Sequence, residues 1–390
     1  MHPGRAEVAA EAITAPTVAP RGEEPRVWGA AIVYRLYDVG YEIALDRALD
    51  LLASSAPERV RLVRGEGQAI QVKNPPVTVI LGTENVAVAG ERLDAEVSAR
   101  VFDFGVVSLR MRIAAPREMT WSDFSAFGNA VDAEGGLAAV FDQYVRLLTE
   151  RIRRAIERPA LAAQTEDYVV YRISRLVSAD GRPLPASALG ELDVAPLLLN
   201  EWRPLSADAR RELLPHRFSY YADDLAILTW DNALIVEPEA HDTDVQYVLE
   251  FANAQLLELR FYDAALDAEL PQMYDRVSAA RRAGTRGLLT RRFAPLLADL
   301  QRLVADSTEL VERVENSLKV TDDVYLARVY SAALEIFRGR VWRSGIDRKL
   351  AIIRETYAML NAEGQAARAE ALELAIVVLI VAEIVLALVR

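Results

Sequence analysis

The sequence predicts an α+β fold: a mixed domain with a largely antiparallel sheet, then long antiparallel helices, then one apolar helix at the C-terminal end. Three observations predict it. Short runs rich in branched residues, punctuated by Gly, Pro and Asn, recur through residues 27–240. From residue 241 to about 370, apolar residues recur at steps of three and four. From 371 to 390 the chain is apolar on every side. A hydrophobic share of 52% in 390 residues supplies enough buried surface for more than one core.

Residues 1–26 are rich in Ala, Pro and Glu and cannot bury much apolar surface, so disorder is expected there. They lack the apolar stretch of a secretory signal. Order is expected to begin at Val27-Trp28-Gly29, with a strand over Ala31–Leu36 and a helix over Ile43–Leu52. Arg59–Val63, Ala69–Val72 and Val77–Leu81 read as strands between turns at Gly65-Glu66-Gly67 and Asn74-Pro75-Pro76. Leu93–Val101 and Val106–Ile113 alternate apolar with polar residues. Between them, Phe102-Asp103-Phe104-Gly105 predicts a bulge or tight bend at Gly105, because glycine accepts backbone angles that other residues avoid. Helices are expected from Trp121 and over Gly136–Glu157, followed by a strand at Tyr168–Ile173. Leu225–Trp230 and Ala233–Val236 read as a hairpin turning on Asp231-Asn232.

The helical region opens with a stripe of Val245, Leu249, Ala252, Leu256 and Leu259, and Pro271 is expected to bend or break that helix. Phe293, Leu297, Leu300, Val304, Val311, Val314 and Leu318 then alternate in steps of four and three across Ser307. Ile346, Leu350, Ile353, Tyr357 and Leu360 repeat the spacing. Both runs fit a coiled-coil seam, and equally an ordinary core-facing stripe. Thr321-Asp322-Asp323 has the form of a helix cap with acids in the first turn. Short connections imply antiparallel neighbours.

The C-terminal run carries Leu374, Ile376, Val377, Leu379, Ile380, Ile384, Leu386 and Leu388, with Glu383 embedded. Counted from Ala371 it spans about 28 Å of helix, against a hydrocarbon core of about 30 Å. A single-pass transmembrane helix is expected, with a buried or oligomer-forming helix as the alternative. Glu383 would be protonated or paired inside a bundle, or placed where water reaches it.

The absence of cysteine excludes disulfides, cysteine nucleophiles and thiolate metal sites. A net charge of -12 argues against broad phosphate-backbone binding. A local basic connection at Arg281, Arg282, Arg286, Arg291 and Arg292 offers a weak RNA or ribosome contact, or simply a solvated helix face. His2, His216 and His241 lack metal-ligand spacing, and neither a phosphate-cradling loop nor a nucleophile elbow is present. Asp223, Asp224, Asp231, Glu237, Glu239, Asp242 and Asp244 could serve a metal-dependent hydrolase. They also fall where strand ends, turns and a helix start favour acids. No cofactor is expected.

Four stretches carry a resemblance. They are Val101–Val107, Val248–Gln255 leading into Phe261-Tyr262-Asp263, Arg348–Arg354 through Leu360-Asn361, and Leu372–Ile384 with its embedded acid. In order and type they resemble the family named for "required for meiotic nuclear division", a domain of unknown function. Its members include yeast sporulation proteins and a mitochondrial inner-membrane protein linked to mitochondrial translation. Ser108-Leu109-Arg110 and Leu374 stand where that family often has Trp. The resemblance implies a membrane-associated, oligomeric scaffold and no catalytic residues. The expected function is a non-catalytic tether, tail-anchored in a bacterial inner membrane with its body in the cytoplasm. Its expected partners are the lipid bilayer, further copies of itself through its helices, and a protein of unknown identity. The alternatives are a soluble homo-oligomeric module and the metal-dependent hydrolase.

Overall fold

The computed structural model describes residues 24–55, 58–59, 71–72, 74–185, 188, 192–238, 244–282, 298, 301–302, 304–305, 308–309, 318–319 and 324–388. The long strand β1 (Arg26–Asp38) lies at the centre of the main sheet. On one side it pairs with β10 (Thr165–Val177), and beyond that lie β13 (Asn232–Val236), β12 (Leu225–Leu228) and β11 (Arg217–Phe218). On the other side come β7 (Val106–Ala114), β6 (Glu91–Val101), β5 (Val77–Val88) and β3 (Glu58–Arg59). β8 (Met119–Thr120) pairs with the start of β1. Every pairing in this sheet is antiparallel except β10 with β13, so the expected mixed fold with a largely antiparallel sheet holds.

Helices cover both faces. α1 (Leu45–Leu52), α2 (Trp121–Asp132), α3 (Gly136–Ile152) and α4 (Ala195–Leu198) share one core with the sheet. α6 (Asp244–Arg282), α7 (Val324–Ile336) and α8 (Gly339–Leu388) share the other. Successive strand residues point to opposite faces, so a strand covered on both sides needs apolar residues at every position. The β12–β13 hairpin shows this: Ile227 and Leu234 enter the first core, Leu228, Ala233 and Ile235 the second. β10 divides the same way, with Val169, Tyr171 and Ile173 on one side and Tyr168 and Val170 on the other.

Enclosure is most complete around α6, where every residue from Val245 to Glu258 is buried. A helix so surrounded must satisfy its polar side chains internally. Glu250 pairs with Arg100 of β6, Gln255 accepts from the Tyr330 hydroxyl, and Gln246 donates to Tyr34 Oη at 3.3 Å. Near the other end of α6, Lys349 of α8 reaches Asp263 and Asp267, each at 2.7 Å, and clasps the two helices together.

Three expectations are corrected. α6 runs unbroken through Pro271 to Arg282. Pro271 and Asp267, whose carbonyl loses its amide partner, are both exposed, so water can replace that bond. The hairpin turns on Thr229-Trp230-Asp231 rather than Asp231-Asn232. Asn232 pairs within β13, and its side chain bonds Thr229 Oγ1 and the Leu198 carbonyl. Leu318 lies in a two-residue strand, β14 (Leu318–Lys319), paired with β4 (Gln71–Val72), and not in a helical seam. α8 begins at Gly339 and carries Gly345 inside it. The proposed cap at Thr321-Asp322-Asp323 lies outside the described residues.

A buried carboxyl makes the fold pH-sensitive. Asp38, 5% exposed, accepts from the Gly40 amide at 3.1 Å, and burial raises its pKa from 3.8 to about 7. A pKa raised on folding contributes stability that is complete below the unfolded value and lost as pH rises through the folded one. The unfolding free energy, read from urea denaturation, should therefore fall between about pH 4 and pH 7, by on the order of a few kcal/mol for this group. Glu166, raised to about 7 chiefly by burial against the pull of Arg260, adds a slope of the same sign. Asp38→Asn should flatten the wild-type slope in part. An unchanged pH profile in that variant would refute the assignment.

Candidate functional site

Two features stand apart from the packed body. The first is the outer end of α8. Ile346, Leu350 and Ile353 are buried in the core shared with α6, Tyr357 is half-buried, and the last buried side chain among those described is Thr356. From Leu372 to Leu388 every side chain is exposed, Leu374 at 69% and Leu388 at 81%. Ile376, Val377, Leu379, Ile380, Ile384 and Leu386 share that exposure, and Glu383 sits among them. Among the described residues no helix is long and apolar enough to cross a membrane. The expected single-pass span is therefore not shown among the described residues. The exposed run covers about 26 Å of helix, less than the roughly 30 Å of a hydrocarbon core, and includes Glu373 and Glu383.

The second feature is a cleft of about 720 Å³ where separate elements end together. Asn129 and Asp132 come from the end of α2, Asn200 from the loop after α4, and Trp230 and Asp231 from the hairpin loop. Glu212 at the end of α5 (Ala207–Leu213), with Pro215 and His216 after it, and Arg338 after α7 complete the rim. Asn200 and Arg338 hold positive φ of 51° and 52°, ending their helices with a sharp turn. Arg338 lies over the Trp230 ring at 6.0 Å. Burial raises the Asp132 carboxyl, and the charges of Asp231 and Asp167 push it further; burial raises Asp231 as well. Neither the Asp132 nor the Asp231 carboxylate has an ion-pair or hydrogen-bond partner among the described residues, although the Asp231 carbonyl accepts from the Val169 amide at 3.1 Å. Sequence reasoning named Asp231 and His216 but missed the rest. No local pattern links residue 129 to residue 338, and the exposed Trp230 beside an acid was the one available signal.

The remaining expected sites are dispersed. Asp224 is buried, and its Oδ1 accepts from the Tyr220 and Tyr221 amides at 2.7 and 3.0 Å, so it closes a turn. Asp223 is exposed, Glu237 is buried at the end of β13, and Asp244 opens α6. No group of three metal-ligating side chains occurs among the described residues. Glu239, Asp242 and His241 lie outside them, as do Phe293, Leu297, Leu300, Val311, Val314, Arg286, Arg291 and Arg292. Val304 is half-buried against the α6 core. Arg281 and Arg282 occupy the last turn of α6, and Leu360 lies within α8.

Residues 28–243, more than half of the chain, match the family described as "Uncharacterized protein MJ0711, N-terminal domain". The chain belongs to this family. It is 28% identical over 194 residues to the uncharacterized protein MJ0711 of Methanocaldococcus jannaschii, a stretch covering 50% of this chain and 58% of that protein. No solved structure matches. A family of unknown function was expected, but the matches give no link to meiotic nuclear division. The MJ0711 match covers the sheet and its first helical layer and stops just before α6.

Proposed function

We propose that this member of the MJ0711 family is a non-catalytic scaffold held at a membrane by the outer end of α8. One observation carries the proposal: a helix continuous with the body presents exposed apolar side chains on every side from Leu372 to Leu388, which no described residue buries. So large an exposed apolar surface calls for lipid or another chain. Its strongly apolar residues favour insertion by about 0.3–0.6 kcal/mol each, roughly 5 kcal/mol together, against about 3 kcal/mol for the mid-run acid Glu383. A run slightly shorter than the hydrocarbon core is accommodated by local thinning of the bilayer. Lys349 bound to Asp263 and Asp267 would transmit any pull on the helix to the core of the body.

Flotation with phospholipid vesicles tests this. The full chain should float and resist carbonate extraction, whereas a chain ending at Ala371 should remain with the soluble fraction, at least ten-fold depleted from vesicles. Recovery of the full chain as a monodisperse, detergent-free oligomer would refute the tether and favour a helix bundle formed with further copies.

A further inference from the structure

We propose that the outer end of α8 selects a thin bilayer: the partner that fits it is a lipid surface with short acyl chains, whose hydrocarbon core is close to the apolar run in length. The inference rests on the membrane-held reading above and names the lipid class that suits it.

The first observation is the circumference of the helix. Ile376, Val377, Val378, Leu379, Ile380 and Val381 are consecutive and apolar, and each is half exposed or more. With about 3.6 residues per turn, these six occupy every direction around the axis. A second helix covers only one stripe, as α6 does over Ile346, Leu350 and Ile353. Lipid covers all sides at once. The second observation is composition. Between Ile376 and Val385 only Leu379, Ala382 and Glu383 are not β-branched. Branching at Cβ lowers helix preference in water. In hydrocarbon the helix is enforced instead, because unpaired backbone groups find no water there.

Length then sets the thickness. The run free of flanking charge begins after Glu373, and residues 374–388 rise about 22 Å as a helix. Arg390 closes the run in the sequence. A core of about 30 Å exceeds that rise by about 8 Å and draws Glu373 or Arg390 below the headgroups. A long arginine side chain can reach back to the interface, whereas the shorter glutamate cannot. Glu383 adds to the preference. It lies about 7 Å along the axis from Leu388, so each ångström removed from the far leaflet brings it nearer to water. Among the described residues no helix is long and apolar enough to cross a membrane, and a thinner core lowers that requirement. Mismatch costs little per ångström, but over several ångströms it changes partitioning by about ten-fold.

The test delivers the full chain from mild detergent to vesicles of dimyristoleoyl, dioleoyl or dierucoyl phosphatidylcholine and follows flotation. All three lipids are fluid and zwitterionic, and they run from thin to thick. Roughly ten-fold more chain should float with the thinnest vesicles than with the thickest. Repeating residues 385–388 adds about 6 Å of helix and should move the optimum to thicker vesicles. Glu383→Leu should gain most in the thickest. Circular dichroism checks that the body, which these changes do not touch, stays folded. Equal flotation with all three lipids overturns thickness selection and leaves the tether standing, as does an unmoved optimum in the lengthened chain. Flotation with none of them overturns both.

Discussion

Glu250→Ala is expected to destabilise the protein by about 3–5 kcal/mol, the usual cost of leaving one member of a buried ion pair without its partner. Arg100 and Glu250 are 7% and 2% exposed at their side chains and join β6 to α6 across the second core. Arg100 also donates to Thr78 Oγ1 at 3.3 Å and lies 5.0 Å over the Tyr247 ring. Those contacts hold the guanidinium in place but do not neutralise it. Without Glu250 the guanidinium stays buried over the Tyr247 ring with that carboxylate gone, and desolvation then weighs against the fold. Exchanging both residues, Arg100→Met with Glu250→Leu, removes the charge and keeps the volume, so it should cost less than about 1.5 kcal/mol. Urea denaturation of the two variants decides the matter. A loss below about 1 kcal/mol in Glu250→Ala would mean that water reaches the pair, as at a surface bridge.

Gly105→Ala is expected to cost about 3 kcal/mol or more. Gly105 sits at φ 95°, in the turn between β6 and β7, and a Cβ there would lie 1.8 Å from the Gly40 carbonyl oxygen. That neighbour cannot yield cheaply. The Val39 amide donates to the Gly105 carbonyl at 2.9 Å, and the Ile43 amide to the Asp103 carbonyl at 2.8 Å. The turn is thus bonded to the chain leaving β1, and it carries Phe102 and Phe104, which pack on Phe251 of α6 at 5.9 Å each. Gly90 provides the contrast. It has φ 84° in the β5–β6 turn, but nothing lies within 4 Å of its missing Cβ. Gly90→Ala should therefore cost only the backbone term, about 1–2 kcal/mol. Equal losses in the two variants would show that close approach to Gly40 plays no part at Gly105.

Much of the secondary structure was legible because the signals are local. Alternation marked β6 and β7, and Gly105 marked the bend between them, where a φ of 95° favours glycine. Pro271 misled because its local penalty is small when the affected carbonyl faces water and the helix is clasped further along. The hairpin misled because Asn232 was read as a turn residue, whereas its side chain serves the buried end of β13. The four-three spacing of Ile346, Leu350 and Ile353 correctly marked an apolar face. A supercoiled seam and a core stripe share that spacing, and only the position of α6 shows which neighbour the face meets.

By itself the sequence determined most of the strands and helices, the bend at Gly105, and that the last turns of the chain are apolar all round. Those properties follow from side-chain chemistry and backbone angles within a few residues of each other. The tertiary structure alone decided that one sheet is covered on both faces, that Arg100 meets Glu250, and that Asp132, Asp231 and Arg338 share a cleft. Periodicity says which face of an element avoids water but not what covers it. That choice is made by contacts between residues a hundred or more positions apart, where packing and charge burial outweigh local preference.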